Sequence, residues 1–543
     1  MKGDPMVTKS EPLMRPSVAY AAIAVVWLIT RAYSISQAIP WQYWEIWEAH
    51  KLLDYGFLAR QGAIINVHFM TGLLDAPEKF NYVNHPYPIL WIFTLFYSLF
   101  GEWGALLMGS ALGLVSSLAV YPALKIRFTP REALWGTILF MLAPSTILMD
   151  VNPNIVALGA IGWPFLMISL AELEKGVTYR RAFILTGLVF VLGQISWFTY
   201  TLSAAIFGVL IIQIWTAKLS GISWRKPAAL SLVIGGVATM AVLLFQVYFY
   251  TFDLSEVLAY ARGQSSAVET VSPFMMVFGI VMRIILSIGP ALLLGGALGA
   301  VILIKRPALH WMEFTALLYL LIFAGCALLL PRFFFREVTM YEYLAFPFTV
   351  MTLGAIQAIR TKLFVYSLAF ISLLGLAYPI YQASIPIVSE TARNLAAVIR
   401  SNTESKEILA TNLNAQKFPF ATWDVGSRGH SAMLADRMIR WGIDSRTALE
   451  NIPNDFKTEQ IDVTYIFCDG LPPPEELRDI LFTQTPVKTI RVELPLEPPS
   501  SATRVRSLYW KLVGKHQVAP MGESESPTFN LSFYRFTLKA PQK

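Results

Sequence analysis

The chain has 543 residues, of which 55% are hydrophobic and 15% charged, with a formal net charge of +7. Soluble domains run to about 45–50% apolar and about 25% charged, so an ordinary soluble enzyme is excluded. The excess positive charge falls in short segments between apolar runs, as in cytoplasmic loops of a membrane protein, rather than along a nucleic-acid-binding face.

From Ser17 to about Ser384 the chain is a series of apolar runs of roughly 16–23 residues, the length that crosses a hydrocarbon core of about 30 Å. The fold class expected is a polytopic α-helical membrane protein of about 11–13 membrane helices, followed by a small soluble α/β domain. Three regions result: an N-terminal tail 1–16, a membrane region 17–384 with a first outer loop 39–85, and a soluble domain 385–543. The first run, "SVAYAAIAVVWLITRAYSIS", follows Lys2, Lys9 and Arg15. It lacks a small-x-small cleavage site, and so reads as a retained helix rather than a signal peptide.

Further full-length spans are expected near 103–124, 132–149, 153–172, 182–197, 199–217, 228–250, 290–304, 309–330, 338–358 and 363–383, with two short or interrupted pieces at 86–101 and 273–289. Lys and Arg cluster at the N-terminus and at 125–131, 174–181, 218–226, 305–306 and 359–362. Such clusters mark cytoplasmic loops. The loop 39–102, "DVNPN", "SWFTY", 251–289, "PRFFFRE" and everything after 384 then share the opposite face, provided that 86–101 does not complete a simple crossing.

In the soluble region "SETARNLAAVIRSN" has helical spacing, "EILATNL" and "VTYIFC" read as buried strands, "PPEELRDILFTQ" as a helix, and "TIRVELP" and "LSFYRFTLK" as further strands. "WDVGSRGHSAMLADR" carries Asp424, Arg428 and His430 but fits no phosphate-loop or dinucleotide pattern. It reads as a loop and a helix start. Cys326 and Cys468 read as buried free thiols without a metal site or a disulfide.

The first outer loop is the richest in chemistry. In "WQYWEIWEAHKLLDYG", Glu45 and Glu48 share one face if the segment is helical, and Trp41, Trp44 and Trp47 suit a bilayer interface. A carboxylate desolvated there is a candidate general base; the ordinary alternative is an amphipathic interfacial helix with a solvated acidic face. "EKFNYVNHPYPILW" adds Lys79 and His85, and "PRFFFREVTMYEYLAFPF" adds Arg332 and Arg336 at the same expected boundary. Cations there suit a lipid-linked phosphate. Taken singly, each is more often a snorkelling residue at a helix end.

The order of these segments resembles the GT-C fold glycosyltransferases, specifically the group of protein O-mannosyltransferases and bacterial aminoarabinose transferases. The counterparts would be Glu45 or Glu48 with Gly56, then His85-Pro86-Tyr87-Pro88, then Arg332 or Arg336 with Pro347. Asp150 in "LMDVNPN" would be a second acidic position. By spacing from Gly56 the group's acidic pair falls at Trp41-Gln42, and Glu45 is the nearest carboxylate, about one helical turn on.

What the resemblance implies is transfer of a sugar from a polyprenyl-phosphate carrier to a hydroxyl acceptor on the outer face of the membrane, by a single inverting displacement. Glu45 or Glu48 would be the base, and Lys79, Arg332, Arg336 and His85 would neutralise the phosphate. The acceptor would be a protein, lipid or glycan; nucleic acid would not be a partner. No cofactor beyond the lipid-linked donor is required, and a divalent metal is left open. The expected location is a prokaryotic inner membrane with the C-terminal domain outside the cytoplasm. Two other readings stay open. One is a catalytically silent membrane subunit that binds partners through its outer domain. The other is a lipid or solute transporter, although midspan charges are few, Arg31 and Arg283 being the notable ones.

Overall fold

The structure is a computed structural model that describes residues 15–37, 96, 99–100, 102–151, 159–196, 198–216, 224–250, 272–306, 309–336, 339–376, 390–404, 407–412, 438–441, 446–450, 452–455, 459–469, 475–493 and 528–539. The N-terminal helices are α1 (Pro16–Gln37), α2 (Glu102–Leu124), α3 (Pro130–Met141), α4 (Pro144–Val151), α5 (Gly162–Lys175), α6 (Tyr179–Gly193), α7 (Thr199–Thr216) and α8 (Arg225–Tyr250). They are followed by α9 (Pro273–Ile288), α10 (Pro290–Ile304), α11 (Trp311–Leu329), α12 (Pro331–Arg336), a 3₁₀ turn (Thr339–Leu344), α13 (Ala345–Ile359) and α14 (Lys362–Gly375). Among the described residues, the segments Thr199–Thr216, Trp311–Leu329 and Met340–Ile359 are long and apolar enough to cross a membrane, and the bent pair α9–α10 is a fourth if counted as one span.

Proline opens α1, α3, α4, α9, α10 and α12. Its fixed φ suits the first helical position, where its missing N–H would have had no partner. Thr129 caps α3, its hydroxyl accepting from the Glu132 N–H while the Glu132 carboxylate accepts from the Thr129 N–H. Proline also breaks helices here. The span expected over 132–149 is two helices, because Pro144 can neither donate to the preceding turn nor clear its carbonyl. The piece expected to be short or interrupted over 273–289 is the short unbroken helix α9, and it meets α10 at Gly289 at an angle of 104°. Gly289 has φ +81°, a conformation that suits a residue without a β-carbon, and it lies against the Pro144 ring. The two breaks therefore touch.

α1 and α2 run antiparallel. Tyr20 near the start of α1 meets Tyr121 near the end of α2, their rings 5.6 Å apart and edge-on. Gln37 and Glu102 thus lie at the same end of the bundle. The other end gathers the segments rich in Lys and Arg. Buried Glu313 at the start of α11 accepts from Arg127 Nε and Arg306 Nη1, both at 3.2 Å. Trp311 Nε1 donates to Glu174 at 3.0 Å, Trp224 packs edge-on to Trp311, and Gln357 Nε2 donates to Glu132 at 3.2 Å.

The soluble region begins with α15 (Glu390–Asn402), then β1 (Ile408–Thr411), β2 (Met438–Trp441), α16 (Arg446–Glu450), α17 (Ile452–Asp455), β3 (Gln460–Cys468), α18 (Glu475–Thr483), β4 (Lys488–Glu493) and β5 (Thr528–Lys539). The sheet order is β2-β1-β3-β5-β4. β1 is parallel to β2 and β3, and β5 is antiparallel to β3 and β4. Leu449, Ile452, Leu477 and Leu481 from α16–α18 pack with Ala410, Val463, Tyr465, Phe467 and Tyr534. The Asn412 side chain accepts from the Cys468 N–H at 2.9 Å and donates to its carbonyl at 3.2 Å, tying the ends of β1 and β3 together. The expected strands and helices are present, and β2 is an addition. Neither cysteine is in a disulfide; Cys468 is buried, whereas Cys326 is only half-buried.

Candidate functional site

Trp27 and Arg31 are four residues apart in α1, so both project from one face of that helix. Asp150 stands in the last turn of α4, the short helix that Pro144 restarts. Its Oδ2 accepts from Arg31 Nε at 2.9 Å and from Trp27 Nε1 at 2.9 Å. The guanidinium lies 5.8 Å from the centre of the Trp27 ring and donates through Nη1 to Thr30 Oγ1 at 2.6 Å. Arg31 is 0% and Asp150 6% exposed. A buried pair must repay a large desolvation cost, and it does so only with good geometry and extra hydrogen bonds; Trp27 and Thr30 provide them here.

A second carboxyl group joins this pair. Glu342, 8% exposed, is close enough for its charge to interact with both Arg31 and Asp150. Its 3₁₀ turn is pinned on either side. Tyr341 donates through its hydroxyl to the Phe334 carbonyl at 2.7 Å, and the Tyr343 carbonyl accepts from Trp163 Nε1 at 2.9 Å. Trp163 also stacks on Phe346 with 5.3 Å between ring centres. Arg31 Nη2 and Glu342 Oε2 are buried with no hydrogen-bond partner among the described residues.

Of the residues singled out from the sequence, Asp150, the second acidic position, and Arg31, a midspan charge, are in this cluster. Arg332 and Arg336 are on α12, which leads after two residues into the turn that carries Glu342. α9 packs on α12, on that turn and on α4, so the two arginine positions and Asp150 belong to elements gathered along one helix. Arg332 is half-buried, and the side chain of Arg336 lies outside the described residues. Fully buried Arg283 of α9 donates through Nη1 to the Phe334 carbonyl at 3.3 Å, bracing α12. Glu45, Glu48, Lys79 and His85 lie outside the described residues, as does 423–437. Among the described residues no three His, Cys, Asp or Glu side chains cluster as metal ligands would.

Glu342 was not singled out from the sequence, although it was open to view: an acid between two tyrosines inside an apolar stretch is a functional-site candidate on cost alone. The partnership of Arg31 with Asp150 joins residues 119 apart, and nothing in one sequence pairs them.

No protein-family model and no curated protein matches the sequence. Among solved structures the chain is similar to ArnT from Cupriavidus metallidurans bound to undecaprenyl phosphate, with a TM-score of 0.60 at 11% identity, covering 95% of this chain and 97% of that one. The chain has the GT-C fold. The apo oligosaccharyltransferase of Archaeoglobus fulgidus aligns at a TM-score of 0.48 and 11% identity, over 82% of this chain and 69% of that one; the ArnT likeness is the one that shows the fold. Within this GT-C architecture Arg31 is six residues before the end of α1 and Asp150 one before the end of α4. Both approach the end of the bundle from which the loop 39–85 departs.

Proposed function

We propose that the protein is a membrane glycosyltransferase that moves a sugar from a polyprenyl-phosphate carrier to a hydroxyl group. The observation that carries this reading is the likeness to undecaprenyl-phosphate-bound ArnT over nearly the whole of both chains. It gains support from the buried Trp27–Arg31–Asp150–Glu342 cluster at the end of the bundle where the acidic loop departs. Glu45 or Glu48 takes the acceptor's proton as its oxygen attacks the anomeric carbon, and the carrier phosphate leaves from the opposite face, inverting the configuration.

Lys79, His85, Arg332 and Arg336 hold that phosphate as its charge develops. Fixed donors at such a point are commonly the largest catalytic contribution, about 3 kcal/mol each. The end rich in Lys and Arg is cytoplasmic in this reading, which sets the loop and the C-terminal domain on the outer face of a prokaryotic inner membrane. Acceptor classes that fit are protein, lipid and glycan hydroxyls.

The test is sugar transfer by well-expressed Glu45→Gln and Glu48→Gln variants reconstituted with sugar-loaded undecaprenyl phosphate. Loss of turnover in one of them, with the lipid still bound, supports the reading; parental rates in both overturn the assignment of the base. The absence of an acid at Trp41-Gln42 favours a second reading, a partner-binding subunit with this fold and no transfer. In that case the parental chain itself turns over no sugar-loaded carrier.

A further inference from the structure

α9 is apolar on the side it exposes and charged on the side it buries. Phe274 is 75%, Val277 56% and Val281 45% exposed; three and four residues apart, they form one stripe along the helix. Phe278 lies beside that stripe, its ring stacked on Phe274 with 6.4 Å between centres. Met276, Gly279 and Arg283 repeat at the same spacing on the opposite side and are buried, where α9 packs on α4, α12 and the 3₁₀ turn. Arg283 is the one charged residue of the helix. A helix facing water has the reverse arrangement, whereas one facing lipid turns its charge toward the protein interior. The level of α9 follows from its neighbours. α10 runs into Lys305 and Arg306, and Arg306 pairs with Glu313 at the end rich in Lys and Arg. The 15 residues of α10 set Pro290 about 20 Å from that end. Pro290 also lies against Gly375, the last residue of α14, which starts from Lys362 at the same end. In a hydrocarbon core about 30 Å thick, the joint of α9 and α10 falls in the far leaflet. α9 turns from α10 by 104°, so it runs across the bundle and adds nothing to the crossing.

We infer that α9 lies in the plane of the membrane, in the leaflet opposite the end rich in Lys and Arg, and that acyl chains of bilayer phospholipid cover its Phe274–Val277–Val281 face. This goes beyond the glycosyltransferase reading and does not depend on it, since it needs only a bundle that spans a membrane. Other occupants fit less well. Water would meet three large apolar side chains and no charge. A second copy would have to bury about 800 Å² on each side, and the stripe from Phe274 to Val281 is only about 10 Å long. The buried side of α9 reaches the candidate site: Arg283 donates to the Phe334 carbonyl of α12. The depth at which lipid seats α9 therefore also sets the level of α12, which carries Arg332 and Arg336.

The experiment measures membrane depth in phospholipid nanodiscs free of polyprenyl lipid. Nitroxide labels are placed singly on Phe274→Cys, Val277→Cys and Val281→Cys, and on Leu294→Cys and Val301→Cys of α10, in a full chain that carries Cys326→Ala and Cys468→Ala. Leu294 and Val301 are exposed on α10 and are seven residues apart, as are Phe274 and Val281. The expected result at 274, 277 and 281 is frequent collision with oxygen and little with a water-soluble nickel chelate. The depths at 274 and 281 should differ by about half or less of the 294–301 difference, itself about 10 Å. An equal difference would mean that α9 crosses the membrane. Frequent nickel collisions would place the face in water, and few collisions with either reagent would mean that protein covers it. Loss of oxygen collisions on adding undecaprenyl phosphate would assign the face to the carrier's tail. Each of these outcomes overturns the inference. A second measurement needs no substitution: in nanodiscs a lipid-soluble diazirine should label 274–281 of the parental chain, and labelling there by hydroxyl radicals generated in water overturns the inference as well.

Discussion

Gly113 of α2 lies so close to Asp150 that a β-carbon on it would overlap the Asp150 carboxylate. Asp150 cannot simply swing away, because Trp27 and Arg31 both donate to its Oδ2. Gly113→Ala should gain about 1 kcal/mol of helix propensity and lose about 1–3 kcal/mol to overpacking. The expected outcome is a lower apparent melting temperature in detergent, and an unchanged or higher one would show that the carboxylate has room to move.

The Arg31–Asp150 pair makes a sharper prediction. Asp150→Leu removes the carboxylate that the buried Arg31 guanidinium donates to, and removing one partner of a buried pair costs roughly 3–5 kcal/mol. Arg31→Met leaves the opposite charge. The double variant, apolar at both sites, should be less destabilised than either single one. Additive losses in a thermal-unfolding cycle would mean that the two residues act independently.

At the other end of the bundle Glu313 serves two arginines, Arg127 and Arg306. It is fully buried, whereas their side chains are 30% and 25% exposed. Glu313→Gln should therefore destabilise the bundle more than Arg127→Gln, since the exposed arginines can turn to water and Arg306 keeps Glu313 paired when Arg127 is lost. The two apparent melting temperatures decide the order.

His310, just ahead of α11, accepts the Met312 N–H at Nδ1. Burial holds its imidazole below the ordinary range; Glu174 and Glu313 oppose that and Arg127 adds to it. A folded-state value below the unfolded one makes the contribution full above about pH 6.5 and lost as the pH falls through and below it. Melting temperatures of the parent should drop on acidification across that window. His310→Asn, which caps a helix without titrating, should flatten that part of the profile.

If Arg336 holds the carrier phosphate, Arg336→Gln should lower turnover about a hundredfold. Arg336→Lys should fall between, because an ammonium keeps the charge and loses the planar fork. Release of bare undecaprenyl phosphate from a sugar-loaded carrier is the readout, and parental rates in R336Q would remove Arg336 from the site.

Much of the helical region was legible because a bilayer imposes one length and one composition on whatever crosses it. The break before Pro144 was not. The run 132–149 stays apolar through it, and a hydropathy window does not register a missing backbone donor. β3 and β5 announced themselves by buried or alternating apolar residues, while "MIRW" of β2 is too short to carry a pattern. Asp150 was named only through the family resemblance, as a second acidic position. Its partners were not recognisable as such, because packing sets Arg31 and Glu342 beside it across 119 and 192 residues of chain. The loop that carried most of the sequence argument, with Glu45, Glu48, Lys79 and His85, lies outside the described residues, and its test is chemical.

The order of the C-terminal sheet has a consequence for biosynthesis. β5, the last of the described strands in chain order, lies inside the sheet between β3 and β4 rather than at its edge. Domains generally fold as units as they leave the ribosome, yet among the described strands β4 pairs only with β5, whose residues 528–539 emerge after it. The helices preceding it can be inserted while that sheet is still open. A chain stalled between Glu493 and Thr528 would lack the strand that pairs with both β3 and β4, and an unpaired strand edge is a template for pairing with another chain.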